Sequence, residues 1–212
     1  MMKRGSLAVV LTGVFLTGSV HAQWNYTTNN GAITITGYTG SGGAVAIPGI
    51  LNGLSVAKIG TNAFLRNTGL VSVTVPNTVA IIELGAFAYC PSLTGACFKG
   101  NAPSIGSSAF DLSTNATVYY LPGTTGWTNP WGGRPTVCWN PTARNLGAAS
   151  NQFGSDITGS SNLVIVVEAC TNLAGNGWVP VSTNTLTGGV SSFSDREWTN
   201  SPARFYRFRP GL

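Results

Sequence analysis

Short stretches of alternating hydrophobic and polar residues run along most of this chain, and between residues 56 and 122 they repeat with a fixed period. An alanine-phenylalanine pair recurs every 23 residues, with an isoleucine ahead of it and an apolar strand behind it. Such a period predicts a solenoid, in which each unit buries its apolar side against the next. The pairs are Ala63-Phe64, Ala86-Phe87 and Ala109-Phe110, the isoleucines are Ile59, Ile82 and Ile105, and the strands are 71–75, 94–98 and 117–121.

The repeat resembles the bacterial BspA-like class of leucine-rich repeats. The resemblance rests on Leu-x-x-Val-x-Val-Pro-x-x-Val followed by Ala-Phe-x-x-Cys-x-x-Leu, read from Leu70 to Leu93, and it extends from Val45 to Pro122. It implies a mainly β fold with short helical or 3-10 turns, built as a small leucine-rich-repeat solenoid of about four strands. It also implies a protein that is exported or held at the cell surface.

The two-residue period of side chains along a strand predicts which repeat positions face the core. The outward row lines the sheet face, which is the usual partner-binding surface of a solenoid. An ordinary solvated sheet remains the alternative. Ser72, Thr74, Cys97 and Tyr120 are the candidate partner-binding residues. The full predicted inward set is Val73, Val75, Ala96, Phe98, Tyr119 and Leu121, and the outward set is Ser72, Thr74, Gly95, Cys97, Val118 and Tyr120.

Both ends of a solenoid need a cap, because an open end exposes the core and a strand edge. Alternating strands on either side of Asn30-Gly31 predict a hairpin at the N-terminal end. A first repeat strand at 45–48 follows, separated from the regular units by an insertion around Asn52-Gly53. At the other end, Trp127 and Trp131 form a candidate aromatic patch. We interpret the patch as the C-terminal cap, with a sugar-stacking platform as the alternative.

The first residues indicate export. Lys3 and Arg4 precede an apolar run over 7–20, which predicts a secretory signal peptide over 1–22 with cleavage before Gln23. No later apolar run approaches the length of a membrane span, so we expect no membrane insertion after cleavage. The expected location is the cell surface, the extracellular space or the periplasm.

Composition limits the chemistry. The single histidine, His21, lies in the predicted signal peptide, so serine-histidine nucleophiles and histidine metal sites are not expected in the exported chain. The net charge of +5 falls to +3 without residues 1–22, and charged residues are sparse throughout, which disfavours a nucleic-acid partner. We predict no catalytic residues, no cofactor and no metal.

A second module follows the solenoid. The domain prediction is a capped solenoid over 23–140, a linker over 141–152 and a small β-sandwich-like domain over 153–212. The continuous apolar run 163–167 predicts a strand buried on both faces. The segment 205–209 predicts a strand with Tyr206 and Phe208 facing inward. Its arginines, with the nearby Arg196, Arg204, Asp195 and Glu197, are interpreted as a solvated, salt-bridged face rather than an anion site.

The pattern from Val167 to Leu173, followed by Trp178 and Phe205-Tyr206-Arg207, resembles a module of exported bacterial proteins of the Verrucomicrobia type. That resemblance implies no particular chemistry.

The four cysteines leave three pairings open. Cys90 is equivalent to Asn67 one repeat earlier, which favours a small residue buried at a turn. Cys97 is expected to be an exposed free thiol. A bridge between Cys138 and Cys170 is open in an oxidising compartment.

The favoured function is an exported, non-catalytic interaction or adhesion protein that binds a protein or a glycan through its sheet face. The alternative is a structural envelope or matrix component that self-associates. An enzyme is disfavoured, because a glycoside hydrolase needs two carboxylates at a fixed separation. Glu83 is the one unusual acid in the repeats, since it replaces the glycine seen at Gly60 and Gly106, and the sequence offers it no evident partner.

Overall fold

The structure is a computed structural model, and it describes residues 6–7, 23–149, 152–174 and 177–211. The chain divides into two compact units: the first ends at Cys138, and the second consists of residues from Trp139 onward together with Ser6–Leu7. Within the described ranges the only helix is a 3-10 turn at Glu197–Thr199 (η1), and no helix has the length and hydropathy to cross a bilayer. Apart from Ser6–Leu7 (β1), the predicted signal peptide lies outside the described residues.

The first unit is a solenoid with two sheets. One sheet has the strand order β10-β8-β6-β3-β2, and the other, the five-stranded sheet, has the order β12-β11-β9-β7-β4 with all neighbours parallel. The strands are β2 (Trp24–Asn29), β3 (Ala32–Tyr38), β4 (Gly43–Ala46), β5 (Ile50–Leu51), β6 (Leu54–Ile59), β7 (Leu70–Val75), β8 (Ile81–Ile82), β9 (Gly95–Phe98), β10 (Ser104–Ile105), β11 (Thr117–Tyr120) and β12 (Thr136–Cys138).

This arrangement confirms the predicted fold class, a mainly β solenoid with short turns. The repeat strands of the sequence are β7, β9 and β11, and β4 and β12 extend them to five. The recurring isoleucines lie in the other sheet, where β6, β8 and β10 pair in parallel through Ile59, Ile82 and Ile105. Strands β8 and β10 are only two residues long and carry no visible alternation, which is why the sequence indicates Ile82 and Ile105 as core positions but not as strands.

A ladder of aromatic rings fills the solenoid core. The ring centroids of Phe64 and Phe87 lie 4.9 Å apart, and those of Phe87 and Phe110 lie 5.3 Å apart, with the planes within 22° of parallel in both pairs. Tyr38 stacks on Phe64 at one end, and Trp131 meets Phe110 edge to face at the other. Each ring therefore covers its equivalent in the next repeat, as the period predicts.

The turns that carry these rings are bonded to one another along the stack. The Phe64 amide donates to the Ala86 carbonyl and the Phe87 amide donates to the Ala109 carbonyl, both at 2.8 Å. Each turn ends on a residue with positive φ, at Arg66, Tyr89 and Leu112. Because these residues are not glycine, the inter-turn hydrogen bonds help to hold a backbone conformation that an isolated chain disfavours.

The predicted N-terminal hairpin is confirmed. Strands β2 and β3 are antiparallel around Asn30 (φ 49°) and Gly31 (φ 76°), the left-handed pair of a tight hairpin turn. The insertion around Asn52 and Gly53 is a second such hairpin, joining β5 to β6 with φ values of 50° and 77°.

The second unit contains two sheets that touch through aromatic rings. One has the order β1-β18-β15-β16 and the other β13-β14-β17. Phe153 stacks on Tyr206 with 4.9 Å between centroids, and Tyr206 and Phe208 are buried as predicted. The strands are β13 (Thr142–Ala149), β14 (Gln152–Thr158), β15 (Val164–Cys170), β16 (Val179–Thr185), β17 (Val190–Asp195) and β18 (Phe205–Pro210).

The predicted linker over 141–152 is wrong for residues 142–149. They form β13, which pairs antiparallel with β14. Most side chains of β13 are exposed, so this edge strand shows no hydrophobic alternation for the sequence to display.

Candidate functional site

The candidate partner-binding surface is the outer face of the five-stranded sheet. Strand register aligns one residue from each strand into a row, which we call the outer row. Neighbouring strands are about 4.8 Å apart, so the row crosses roughly 19 Å of surface. Ser72 lies in a parallel row beside it, aligned with Ala44, Gly95 and Thr117. The outer row consists of Ala46, Thr74, Cys97, Tyr119 and Val137.

Thr74 and Cys97 lie where the sequence predicts them, but the prediction for the third strand is wrong. Ala96 pairs with Val118, so Val118 is fully buried and Tyr119 joins the outer row. Tyr120 aligns with Phe98 on the core side.

The reason is a change of spacing inside the repeat. Nine residues separate Phe64 from Val73 and Phe87 from Ala96, whereas eight separate Phe110 from Val118. A one-residue slip moves every side chain of a strand to the opposite face. The shorter connection can be counted in the sequence. The prediction missed it because the phenylalanines themselves keep a constant spacing.

The outer row contains no charged side chain. Thr74, Cys97, Tyr119 and Val137 are half-buried and Ala46 is exposed, while Lys99 lies two residues beyond Cys97 in the chain. Burial raises the pKa of the Cys97 thiol to about 12, a rise that the Lys99 ammonium only partly offsets. The thiol is therefore protonated at neutral pH and is a poor nucleophile. Burial likewise raises the pKa of Tyr119. The face offers hydroxyl groups, small apolar groups and one aromatic ring.

The candidate aromatic patch lies at the C-terminal end of the solenoid core. Trp131 is buried, with its ring 5.2 Å from Phe98 and 6.3 Å from Phe110. Trp127 is half-buried between Tyr120, which it stacks on at 5.3 Å, and Trp131. The indole N–H of Trp127 donates to the Thr124 hydroxyl at 3.0 Å. These contacts are those of a cap, since both tryptophan rings pack against aromatic side chains of the solenoid.

Glu83 has a local structural role. Its carboxylate accepts hydrogen bonds from the Thr61 amide at 3.0 Å and from the Thr61 hydroxyl at 3.1 Å. Thr61 begins the preceding turn, where backbone N–H groups lack partners in the chain. The acid that replaces glycine in this repeat therefore caps a turn.

The four cysteines are free thiols in the structure. Cys90 is fully buried, and its thiol donates to the Phe64 carbonyl at 3.1 Å. Its amide donates to the hydroxyl of Ser113, the equivalent residue one repeat later, at 2.9 Å. The predicted buried turn position is confirmed. Across the described residues, no group of three or more His, Cys, Asp and Glu side chains is placed to hold a metal ion.

The second unit contains buried ion pairs that the sequence reasoning missed. Glu168 is 6% exposed and accepts from the Nε atoms of Arg207 at 2.7 Å and Arg209 at 2.6 Å. The Arg207 guanidinium also lies 4.4 Å from the centroid of the Trp178 ring. The expected solvated charged face is wrong here, because side chains on the outer surface of β15 are covered by these long neighbours.

Asp195 forms a second buried cluster. It is 6% exposed and accepts from the Arg204 Nε at 2.6 Å and from the Tyr206 hydroxyl at 2.9 Å. It also accepts from the amide of Glu197 at 2.8 Å. The alternation of side chains along the strands could have indicated that Glu168 and Arg207 lie on the same face of the sheet, opposite to Tyr206. It could not show that the pair is buried.

Comparison with known proteins shows that the repeats match one protein family. Residues 50–126 match the BspA type leucine rich repeat region, described as six copies. The second unit falls outside this match, so its resemblance to a Verrucomicrobia-type module stays a prediction. No curated protein matches the chain.

Three solved structures are similar to parts of the chain. A leucine rich cell surface protein from Faecalibacterium prausnitzii A2-165 is 31% identical with a TM-score of 0.42, over 50% of this chain and 30% of that one. A leucine-rich repeat protein from Bacteroides capillosus ATCC 29799 is 24% identical with a TM-score of 0.41, over 54% and 88%. The T. pallidum Leucine Rich Repeat protein is 24% identical with a TM-score of 0.34, over 46% and 69%. The chain thus spans less than a third of the Faecalibacterium protein.

Proposed function

We propose that this chain is an exported, non-catalytic interaction protein that binds a protein or glycan partner through the outer face of its five-stranded sheet. The observation that carries the proposal is the uncharged outer row, which crosses all five strands and contains one aromatic side chain at Tyr119. The match to BspA type repeats supports it, because such repeats are typical of surface proteins that act through interactions. The apolar run over 7–20 supports export.

The composition of the face limits the kind of partner. Without cations in the outer row, the face lacks the phosphate contacts that supply nucleic-acid affinity. Hydroxyl groups and a tyrosine ring suit a neutral surface, because they combine adaptable hydrogen bonding with a rigid apolar area. The partner is therefore an uncharged or weakly charged segment of a protein or glycan.

A binding array of glycans and surface proteins tests this with the purified chain, residues 23–212. We expect saturable binding that Thr74→Arg and Tyr119→Ser each abolish, because both change the outer row. Ser107→Arg is the matched control, since Ser107 is exposed on a turn away from the five-stranded sheet. A blank array, or binding that survives both outer-row substitutions, would refute the proposal.

A further inference from the structure

The two ends of the five-stranded sheet differ in how their edges are covered. At the C-terminal end, the Thr136 amide on the free side of β12 donates to the Asn129 side-chain oxygen at 3.1 Å. At the N-terminal end, β4 pairs within the described residues only with β7. The hairpin strand β2 extends the other sheet beyond β3, whereas among the described strands none lies beyond β4 in the five-stranded sheet. In the described part of the chain, one outward amide of the β12 edge is therefore bonded to a side chain, whereas the β4 edge is open.

The open edge presents a short row of backbone hydrogen-bonding groups. The Gly43 amide donates to Gly69 at 2.7 Å and the Ile47 amide donates to Thr74 at 3.0 Å, so alternate residues of β4 direct their backbone toward β7. The N–H and C=O groups of Ala44 and Ala46 consequently point away from β7. Their side chains are exposed, small and uncharged. Neither proline nor lysine interrupts the strand, although natural edges often use them to prevent pairing.

We propose that β4 pairs with β4 of a second copy of this chain. The two strands run antiparallel about a twofold axis at Val45, with Ala44 of each copy opposite Ala46 of the other. The outward N–H and C=O groups of both residues then all find partners, giving four hydrogen bonds. The two Val45 side chains meet on the core side, where Val45 already continues the row of Val73 and Ala96. The result is a continuous ten-stranded sheet.

The edge favours a copy of itself because the pairing is self-complementary. An antiparallel pair of identical strands satisfies every outward group in one register, and it brings no like charges together. Head-to-tail stacking is disfavoured, since Asn129 already holds the Thr136 amide on the other edge. Two paired four-residue strands bury less surface than the interface of a stable dimer. The association is therefore weak and depends on concentration.

Sedimentation velocity without any ligand tests the pairing, with residues 23–212 from about 10 µM to about 1 mM, the range around a weak dissociation constant. We expect a reversible monomer-dimer equilibrium. Ala46→Pro should weaken it at least about tenfold, because proline removes an outward N–H but no ladder hydrogen bond. Ala46→Ser keeps that N–H and is the matched control. A wild-type chain that stays monomeric, or an Ala46→Pro chain that dimerises equally well, would overturn the proposal.

A charge exchange tests the register independently of proline strain. The double variants Ala44→Lys with Ala46→Lys, and Ala44→Glu with Ala46→Glu, should each be monomeric, because like charges face each other across the axis. An equimolar mixture should form heterodimers. Homodimers of either double variant, or a mixture that stays monomeric while both variants remain folded, would rule out this edge. Because no ligand is present, the result is separate from partner binding at the outer row.

Discussion

The two units provide hydrogen-bond partners for their buried polar side chains in different ways. In the solenoid, the polar side chains in the core are small and neutral. Cys90 and Ser113 bond to backbone carbonyls of neighbouring turns, with the Ser113 hydroxyl donating to the Phe87 carbonyl at 2.7 Å. Glu83 stays at the surface of its turn, and the partly buried Arg134 guanidinium also bonds to a backbone carbonyl, that of Ser113, at 3.2 Å. Translation from one repeat to the next supplies a backbone partner at the same place each time.

The second unit has no repeat to supply such partners, and it buries charged side chains in pairs instead. Glu168 lies between two arginines, and Asp195 lies between Arg204 and Tyr206. Desolvating these charges is costly, and their mutual hydrogen bonds offset the cost only while both partners are present. We therefore expect the solenoid to depend most on the volume of its rings and the second unit to depend on its carboxylates.

The largest expected effect tests the ring ladder. Phe87→Ala should lower the free energy of unfolding of the solenoid by about 3 to 5 kcal/mol, because the fully buried ring contacts Phe64 on one side and Phe110 on the other. Urea denaturation measures it. Leu84→Ala is the control, since that side chain is 50% exposed and should cost within about 0.5 kcal/mol. Equal effects of the two substitutions would mean that the stacked rings contribute little to the stability of the solenoid.

The sequence predicts the solenoid better than it predicts the second unit. The constant spacing of Phe64, Phe87 and Phe110 predicted the stack, because periodicity is a property of the sequence itself. It also concealed the shorter connection before Val118, and so the prediction put Tyr120 in place of Tyr119 on the candidate surface.

In the second unit, β15 was predicted from its apolar run, while β13 was not, because an edge strand with exposed side chains has no such signal. The buried state of Glu168 depends on β18, which is about 40 residues away in the chain. Local patterns do not contain that information.

The next effect tests the dependence of the second unit on its carboxylates. Glu168→Gln should destabilise this unit by about 3 kcal/mol, because it leaves Arg207, whose side chain is only 13% exposed, without its counter-charge. Urea denaturation of the second unit measures the loss. Glu197→Gln is the control, since Glu197 is 73% exposed and lies 4.0 Å from Arg204. A loss below about 1 kcal/mol for Glu168→Gln would remove the contrast between the two units.

The smallest effect is the pH dependence that Tyr206 gives to the stability of the second unit. Burial, followed by the hydrogen bond to Asp195, raises the pKa of Tyr206 well above its ordinary value of 10.0. The folded unit therefore keeps the phenol proton at a pH where the unfolded chain releases it. The stabilisation is complete below pH 10 and is lost as pH rises above it, with a slope of up to about 1.4 kcal/mol per pH unit.

Urea denaturation of wild type and Tyr206→Phe between about pH 8.5 and pH 11 measures this slope. Tyr206→Phe should make the stability of the second unit less dependent on pH across that range, because the variant has no phenol to titrate. Phe208→Leu is the matched control, since it alters a buried ring on the same strand without removing a titrating group and should keep the wild-type slope. Parallel pH profiles for wild type and Tyr206→Phe would show that the phenol is not held in its protonated form, and the coupling of Asp195 to Tyr206 would then be weaker than their 2.9 Å contact implies.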